Sequence, residues 1–151
     1  MDQFKILNCE RESEVFPNYR ALSAPESDRL RRKFLAALGL PGESANRALI
    51  DNILPLTLTL PDNLEACDRF DFEALIKRHD VNPSPEIMLD WGWFDEVDEM
   101  SLKDFSEHLS DIWYPSSDDL GLFDSSTSWM LMITHDAAMR LWKQPITPTA
   151  A

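Results

Sequence analysis

Glycine, cysteine and long apolar runs are scarce in this chain of 151 residues. Its four glycines are dispersed, which excludes the clustered glycine loops that bind phosphate groups. The two cysteines, Cys9 and Cys67, fit a reducing compartment, where thiols stay unpaired. No apolar run approaches the roughly 18 residues of a membrane helix, and the first residues lack the pattern of a signal peptide. We therefore expect a soluble cytoplasmic protein that does not enter a membrane.

Basic residues are also few, and the acidic excess is uneven along the chain. There are 14 Lys and Arg against 27 Asp and Glu, a net charge of −13. Residues 1–50 hold eight bases and seven acids, residues 51–100 three and thirteen, and residues 101–151 three and seven. This balance excludes direct binding to nucleic acid or anionic lipid, which needs a basic surface. A hydrophobic content of 44% with five tryptophans excludes a disordered acidic tail.

Four segments are predicted as helices because apolar residues recur with helical spacing behind a Ser or Asp that can cap them. In the first, Ser23 and Glu26 have the spacing of a capping box, Pro25 fits the first turn, and Gly39 ends the helix. Ser44 is expected to cap the second. The four segments are residues 23–39, 44–53, 71–79 and 101–112.

Strands are predicted mainly in the second half of the chain, where short apolar runs are bounded by turn residues. The segments are residues 56–60, 86–95, 120–123, 129–134 and 139–142. The second of these runs into an aromatic turn, and the last three form a β-meander. We predict an α+β fold with N-terminal helices packed on a C-terminal antiparallel sheet. Residues 1–143 form one domain in this interpretation, and residues 144–151 form a flexible tail.

Motifs for catalysis are absent from the sequence, and we predict a protein without enzymatic activity or cofactor. No pair of histidines or cysteines has metal-ligand spacing, and no nucleophile elbow is present. His135, at the end of an apolar strand, is interpreted as a turn residue with a hydrogen-bonded ring. Asp118, Asp119 and Asp124 are close enough in sequence to bind a divalent cation, although acids in such loops more often cap turns and face water.

The aromatic residues of the C-terminal half are interleaved with acids. Trp91, Trp93, Trp113 and Tyr114 lie near predicted bends, where a ring either packs into the core or stays at the surface. In the second case these rings anchor an interface, and the surrounding carboxylates steer a basic partner towards it.

Two segments of the last third resemble small immunity proteins of bacterial polymorphic-toxin systems. The first is Asp111-Ile-Trp-Tyr-Pro-Ser-Ser-Asp-Asp-Leu-Gly-Leu-Phe-Asp124, and the second is Ser128-Trp-Met-Leu-Met-Ile-Thr-His-Asp136. The shared pattern is a helix, a Tyr-Pro-Ser break, an acidic strand, and an apolar strand that starts at Trp and ends at His. The resemblance implies a protein that binds a toxin domain and occludes its active site.

The sequence therefore predicts a non-enzymatic acidic protein that neutralises a basic protein partner, most plainly a bacterial toxin. One alternative is a DNA mimic whose carboxylates imitate duplex phosphates, and another is an enzyme that uses a carboxylate-bound metal. The oligomeric state stays open. The predicted partner-binding residues are Asp90, Trp91, Trp93, Asp95, Glu96, Asp98, Glu99, Trp113, Tyr114, Asp118, Asp119 and Asp124.

Overall fold

The computed structural model describes residues 1–146, which form a seven-stranded sheet with helices on both faces. The helices are α1 (Gln3–Arg11), α2 (Ala24–Ala37), α3 (Asn46–Ile53), α4 (Phe72–Arg78), α5 (Leu102–Glu107) and α6 (Leu109–Ile112). The strands are β1 (Tyr19–Ala21), β2 (Leu58–Asn63), β3 (Glu86–Asp90), β4 (Val97–Ser101), β5 (Leu120–Phe123), β6 (Trp129–Ile133) and β7 (Ala138–Lys143). The predicted α+β class is confirmed.

The strands are arranged in the order β1-β4-β3-β5-β6-β7-β2, and all neighbours are antiparallel. The predicted meander is confirmed as β5, β6 and β7. The strand predicted from residue 86 ends at Asp90, and the aromatic turn follows as expected. Strands from both sides of the proline-containing segment 82–85 join the same sheet.

One face of the sheet packs against α4, α5 and α6. Leu89, Leu122 and Leu131 point to this side from three adjacent strands and are fully buried. Phe72 of α4 and Phe105 of α5 meet above them with ring centroids 4.9 Å apart. This face holds the larger of two hydrophobic clusters.

The opposite face packs against α2 and α3. Phe34 of α2 contacts the rings of Phe123 and Trp142 at centroid distances of 5.0 and 5.7 Å. Leu49 and Ile53 of α3 belong to the same cluster. Because both faces are covered, all five residues of β6 are buried, and the strand is apolar throughout instead of alternating.

The capping box of α2 is confirmed, whereas the predicted cap of α3 is wrong. The Ser23 side chain accepts from the backbone N–H of Glu26, and Gly39 has the left-handed φ of 71° that ends the helix. At α3 the N-cap residue is Ala45, which has no side-chain cap. The carbonyl oxygen of Ser44 instead accepts from the guanidinium of Arg31, which ties the loop to α2.

The sheet contains two strands that the sequence does not reveal, β1 and β4, and β2 is displaced from its predicted range. β4 has the sequence Val-Asp-Glu-Met-Ser, whose adjacent acids obscure strand periodicity. β2 runs past Pro61 to Asn63 because it is an edge strand and its register shifts between Thr59 and Asn63. An edge position with a register shift accepts a proline that lacks an N–H.

Gln144, the first residue of the predicted tail, is still bonded to the sheet. The backbone N–H of Gln144 donates to the carbonyl of Ser128 at 2.8 Å, which extends the pairing of β7 with β6 by one residue. Of the predicted tail, residues 147–151 lie outside the described residues. Within residues 1–146, no helix has the length and apolar character needed to cross a membrane.

Candidate functional site

A groove of about 510 Å³ opens on the α2–α3 face of the sheet, beyond the end of α3. Its floor is a row of four residues in register across four strands, in the order Asp90, Gly121, Met132 and Arg140. Residues opposite each other on neighbouring strands project to the same face, so this row crosses the groove. The remaining lining residues are Leu54, Trp91, Gly92, Trp93, Asp119, Leu120, Met130, Ile133, Thr134 and His135.

Because Gly121 has no side chain, the floor of the groove is open beside Asp90. A Cβ atom at Gly121 would lie 3.5 Å from the Cβ of Asp90 and 3.7 Å from the Sδ of Met130, both ordinary contacts. Space is therefore available for a side chain, and the native sequence leaves it open. Any larger side chain at this position extends into the groove.

Asp90 forms one end of the groove and organises the turn that follows β3. Its Oδ1 accepts hydrogen bonds from the backbone N–H groups of Gly92 and Phe94, at 3.2 and 2.8 Å. These bonds hold a turn in which Trp93 and Phe94 have positive φ values of 51° and 74°. The residue is 5% exposed, and burial raises its pKa to about 6 despite the two hydrogen bonds; the charge of Asp95 adds to the increase.

The two tryptophans of this turn are half-buried and fixed by polar contacts. The Nε1 of Trp91 donates to Oδ2 of Asp98 at 2.9 Å. The backbone carbonyl of Trp93 accepts from Nδ2 of Asn46 at 3.0 Å, which fastens the turn to the first residue of α3. The sequence left open whether these rings pack into the core or stay at the surface. In the structure each ring packs partly on the core, and each residue also lines the groove.

His135 and Asp119 form a pair at the rim of the groove. Asp119 Oδ1 accepts from the backbone N–H of His135 at 2.8 Å and lies 2.9 Å from the ring Nδ1. This hydrogen bond and the negative charge of Asp119 raise the pKa of His135. The prediction of a turn histidine with a hydrogen-bonded ring is confirmed.

Arg140 lies at the other end of the row from Asp90. It is exposed and forms no ion pair with any residue in the range 1–146. Neighbouring strands are about 4.8 Å apart, so three strand steps separate the Cα atoms of Asp90 and Arg140 by about 14 Å. The groove therefore has a carboxylate at one end and a guanidinium at the other.

Asp98, predicted for the partner surface, is completely buried. Its Oδ2 lies 2.6 Å from the amino group of Met1 and accepts from the indole of Trp91. A fully buried side chain does not reach a partner in this conformation. The role that the structure supports for Asp98 is to hold the start of α1 and the aromatic turn.

Asp124 and Trp113 are also buried and serve the fold. Oδ2 of Asp124 accepts from the backbone N–H of Ser84, and Oδ1 from that of Ser126, both at 3.0 Å. Burial acts to raise the pKa of Asp124, but the hydrogen bonds outweigh it and the pKa lies below its ordinary value. The indole of Trp113 donates to the carbonyl of Asp118 at 3.0 Å.

Lys5 is a central residue that sequence reasoning missed. It is 4% exposed, and its Nζ lies 2.6 Å from Oδ2 of Asp118. The same ammonium lies 4.0 Å from the ring centroid of Trp91 and 5.2 Å from that of Tyr114. Asp118 and Tyr114, both predicted for the partner surface, are thus partly engaged inside the molecule. No periodicity in the first 22 residues distinguishes Lys5 from a solvated lysine.

Three further acids of the predicted set lie in or beside the β3–β4 turn. Asp95 is exposed and forms no ion pair among the residues that the structure describes. The exposed Glu96 contacts the amino group of Met1. Glu99, half-buried on β4, pairs with Nε of Arg20 at 3.3 Å. Of the three, only the Asp95 carboxylate is left uncompensated beside the groove.

The carboxylates considered as metal ligands are those of Asp118, Asp119 and Asp124. They do not converge on a common point, because each binds a separate protein group. Within residues 1–146, the donor atoms of Cys9, Glu14 and Asp111 do lie within 4.8 Å of one another. Burial, followed by the charges of Asp111 and Glu14, raises the pKa of the Cys9 thiol. A thiol held in its neutral form is a poor metal ligand.

No protein-family model, curated protein or solved structure matches this chain.

Proposed function

We propose that this chain is a non-enzymatic acidic protein that acts in the cytoplasm and neutralises a basic protein partner, as an immunity protein occluding a bacterial toxin. The observation that carries the proposal is the groove, whose lining includes four residues of the predicted partner surface. They are Asp90, Trp91, Trp93 and Asp119. Aromatic side chains beside exposed carboxylates are the composition expected of an interface with a basic protein.

Charge supports the same proposal. The chain carries −13, and Asp95 and Asp119 are exposed at the turn and at the rim of the groove. Carboxylates in this position accelerate the encounter with a basic partner and orient it before contact. Binding over the groove covers the partner's active site by occlusion, which requires no chemistry from this chain.

The test begins with the protein partner that the chain captures from its native host. After purification, an equimolar amount of the chain is expected to abolish the partner's toxic activity. Association is then measured at several salt concentrations for the double variant Asp95→Lys, Asp119→Lys. We expect association to slow about tenfold and its salt dependence to flatten, because two steering charges are reversed.

A matched control is Glu86→Lys. Glu86 is an exposed acid at the opposite end of β3, about 13 Å along the strand from Asp90. We expect a smaller effect on association from this variant. Equal effects of both variants would remove the groove from the proposal, and a partner whose activity continues in the complex would overturn the immunity role. Displacement of the captured partner by generic duplex DNA would instead favour DNA mimicry.

A further inference from the structure

We infer that the Asp90 end of the groove is a receptor for a single cationic side chain, arginine or lysine, of the basic protein partner. This inference rests on the proposed function for the identity of the partner. The pocket itself is defined by Asp90, Trp93, Gly121, Met130 and Met132, and it can be tested without the partner.

The hydrogen bonding of Asp90 leaves one carboxylate oxygen available. Both of its hydrogen bonds go to Oδ1, and within residues 1–146 Oδ2 accepts none. Among the same residues, Asp98 also leaves one oxygen, Oδ1, without a hydrogen bond, but its Oδ2 lies against the amino group of Met1, which supplies a counterion. Asp124 uses both of its oxygens. A buried charge without a counterion is costly, so a cation brought by a ligand gains more here than at a solvated acid.

The walls of the pocket suit the stem of a long basic side chain. Met130 and Met132 line the groove, and the absence of a side chain at Gly121 leaves a passage to Asp90. Methylene groups of arginine or lysine bury apolar area against such residues while the head group reaches the carboxylate. Flexible thioethers adapt to either stem.

Other charged groups around the groove set the direction of entry. Arg140 lies on β7, and His135 lies just beyond β6. Asp119 lies before β5, and Asp95 lies in the β3–β4 turn. The guanidinium of Arg140 disfavours a cation at its own end, about 14 Å from Asp90. The cation therefore enters at the end of the groove where Asp90 lies.

We expect the groove to bind the cationic side chain more strongly as the pH rises from 5 to 7.5. Asp90, with its pKa raised by burial to about 6, is mostly protonated at pH 5 and mostly ionised at pH 7.5. Only the ionised form pairs with a cation, so the affinity is expected to increase about tenfold. His135 at the rim acts in the same direction, because its positive charge decreases as the pH rises.

The test is a ¹H–¹⁵N NMR titration with methylguanidinium chloride at constant ionic strength. N-methylurea, which is uncharged and of similar shape, is the matched control ligand. At pH 7.5 we expect saturable shifts of the amides of Gly92, Phe94 and Gly121 with methylguanidinium in the millimolar range, and none with methylurea. At pH 5 the affinity is expected to be about tenfold lower.

Three variants make the result specific to the pocket. Asp90→Asn removes the charge and Gly121→Val fills the passage, and each is expected to abolish the saturable shifts. Glu86→Gln removes an exposed carboxylate at the far end of β3 and is expected to retain them. If Asp90→Asn does not fold, Gly121→Val decides alone. Equal shifts with methylurea, or binding unchanged in Gly121→Val, would overturn the inference.

The outcome for the partner is separable from the outcome for the pocket. If the partner is neutralised but its dissociation constant is unchanged by Asp90→Asn and Gly121→Val, the pocket is refuted and the immunity role stands. If methylguanidinium binds as expected but no basic protein is neutralised, the pocket stands and the immunity role is refuted.

Discussion

Replacing Asp90 with Asn removes a buried charge and keeps an oxygen where Oδ1 accepts its hydrogen bonds. The backbone N–H groups of Gly92 and Phe94 donate to this oxygen at 3.2 and 2.8 Å, and an amide oxygen accepts both. The native protein therefore differs from the variant mainly in one ionisation. Burial raises the pKa of Asp90 from 3.8 to about 6. Between these two pH values the folded protein keeps the Asp90 carboxyl group protonated, whereas the unfolded chain has already released the proton.

The size of the effect follows from the shift. A difference of about 2 pKa units corresponds to about 3 kcal/mol of unfolding free energy that the ionised carboxylate costs at neutral pH. Because the folded state binds more protons in this window, the stability of the native protein falls as the pH rises from about 4 through 6. About 2 kcal/mol of the loss falls between pH 4.5 and 7.5. Asn does not titrate, and the variant escapes this loss.

The measurement is urea unfolding of both proteins at pH 4.5 and 7.5, followed by tryptophan fluorescence. The advantage of Asp90→Asn over the native protein is expected to be about 2 kcal/mol larger at pH 7.5. With a urea m-value of about 2 kcal/mol/M, this moves the midpoint by about 1 M. Other groups titrate in both proteins and cancel in the difference. The exposed Glu86→Gln, at the far end of β3, serves as the control. If the stability difference is the same at both pH values, Asp90 does not carry a buried charge and the reasoning is refuted.

Two further predictions concern Lys5 and His135. Lys5→Met leaves the Asp118 carboxylate, which is only 19% exposed, without its cation. We expect this variant to lose about 3 kcal/mol of unfolding free energy, measured by urea unfolding, and the double variant with Asp118→Asn to lose less. A single-variant loss below about 1 kcal/mol would contradict the buried ion pair. For His135, NMR titration is expected to show a lower pKa in Asp119→Asn than in the native protein, because the raised pKa depends on that contact. A group whose pKa is raised in the folded state stabilises the protein at acidic pH, and this contribution is lost as the pH rises through that pKa. Asp119→Asn should therefore destabilise the protein more at pH 5.5 than at pH 8.5. Equal pKa values in the two proteins would show that the contact is absent in solution.

Local signals in the sequence predicted α2 and the meander well. Ser23, Glu26 and Gly39 act within one helix, and the apolar runs of β5, β6 and β7 are separated by short turns. β4 escaped prediction because its acids are stabilised by distant partners. Asp98 lies against the Met1 amino group, and Glu99 pairs with Arg20. Neither contact can be recognised from the apolar and polar pattern of the β4 sequence.

The candidate site was predicted in part, and the missing part depends on strand register. Trp91, Trp93 and Asp119 stand out because they are aromatic or acidic residues near bends. Gly121 and Arg140 become site residues only because β3, β5, β6 and β7 align them with Asp90. A glycine inside a strand and a lone arginine have no chemical signature, and their pairing partners cannot be deduced from spacing along the chain.

The order of the strands has a consequence for how this chain folds. The two earliest strands, β1 and β2, lie at opposite edges of the sheet, and the strands that bridge them come later in the chain. Tyr19 pairs with Met100 and Leu58 with Leu141, in each case about 80 residues away. During synthesis β2 therefore has no strand to pair with until β7 has left the ribosome, and β1 waits for β4. Topologies with such distant pairings fold in milliseconds to seconds, and the sheet closes as a late event after translation of β7.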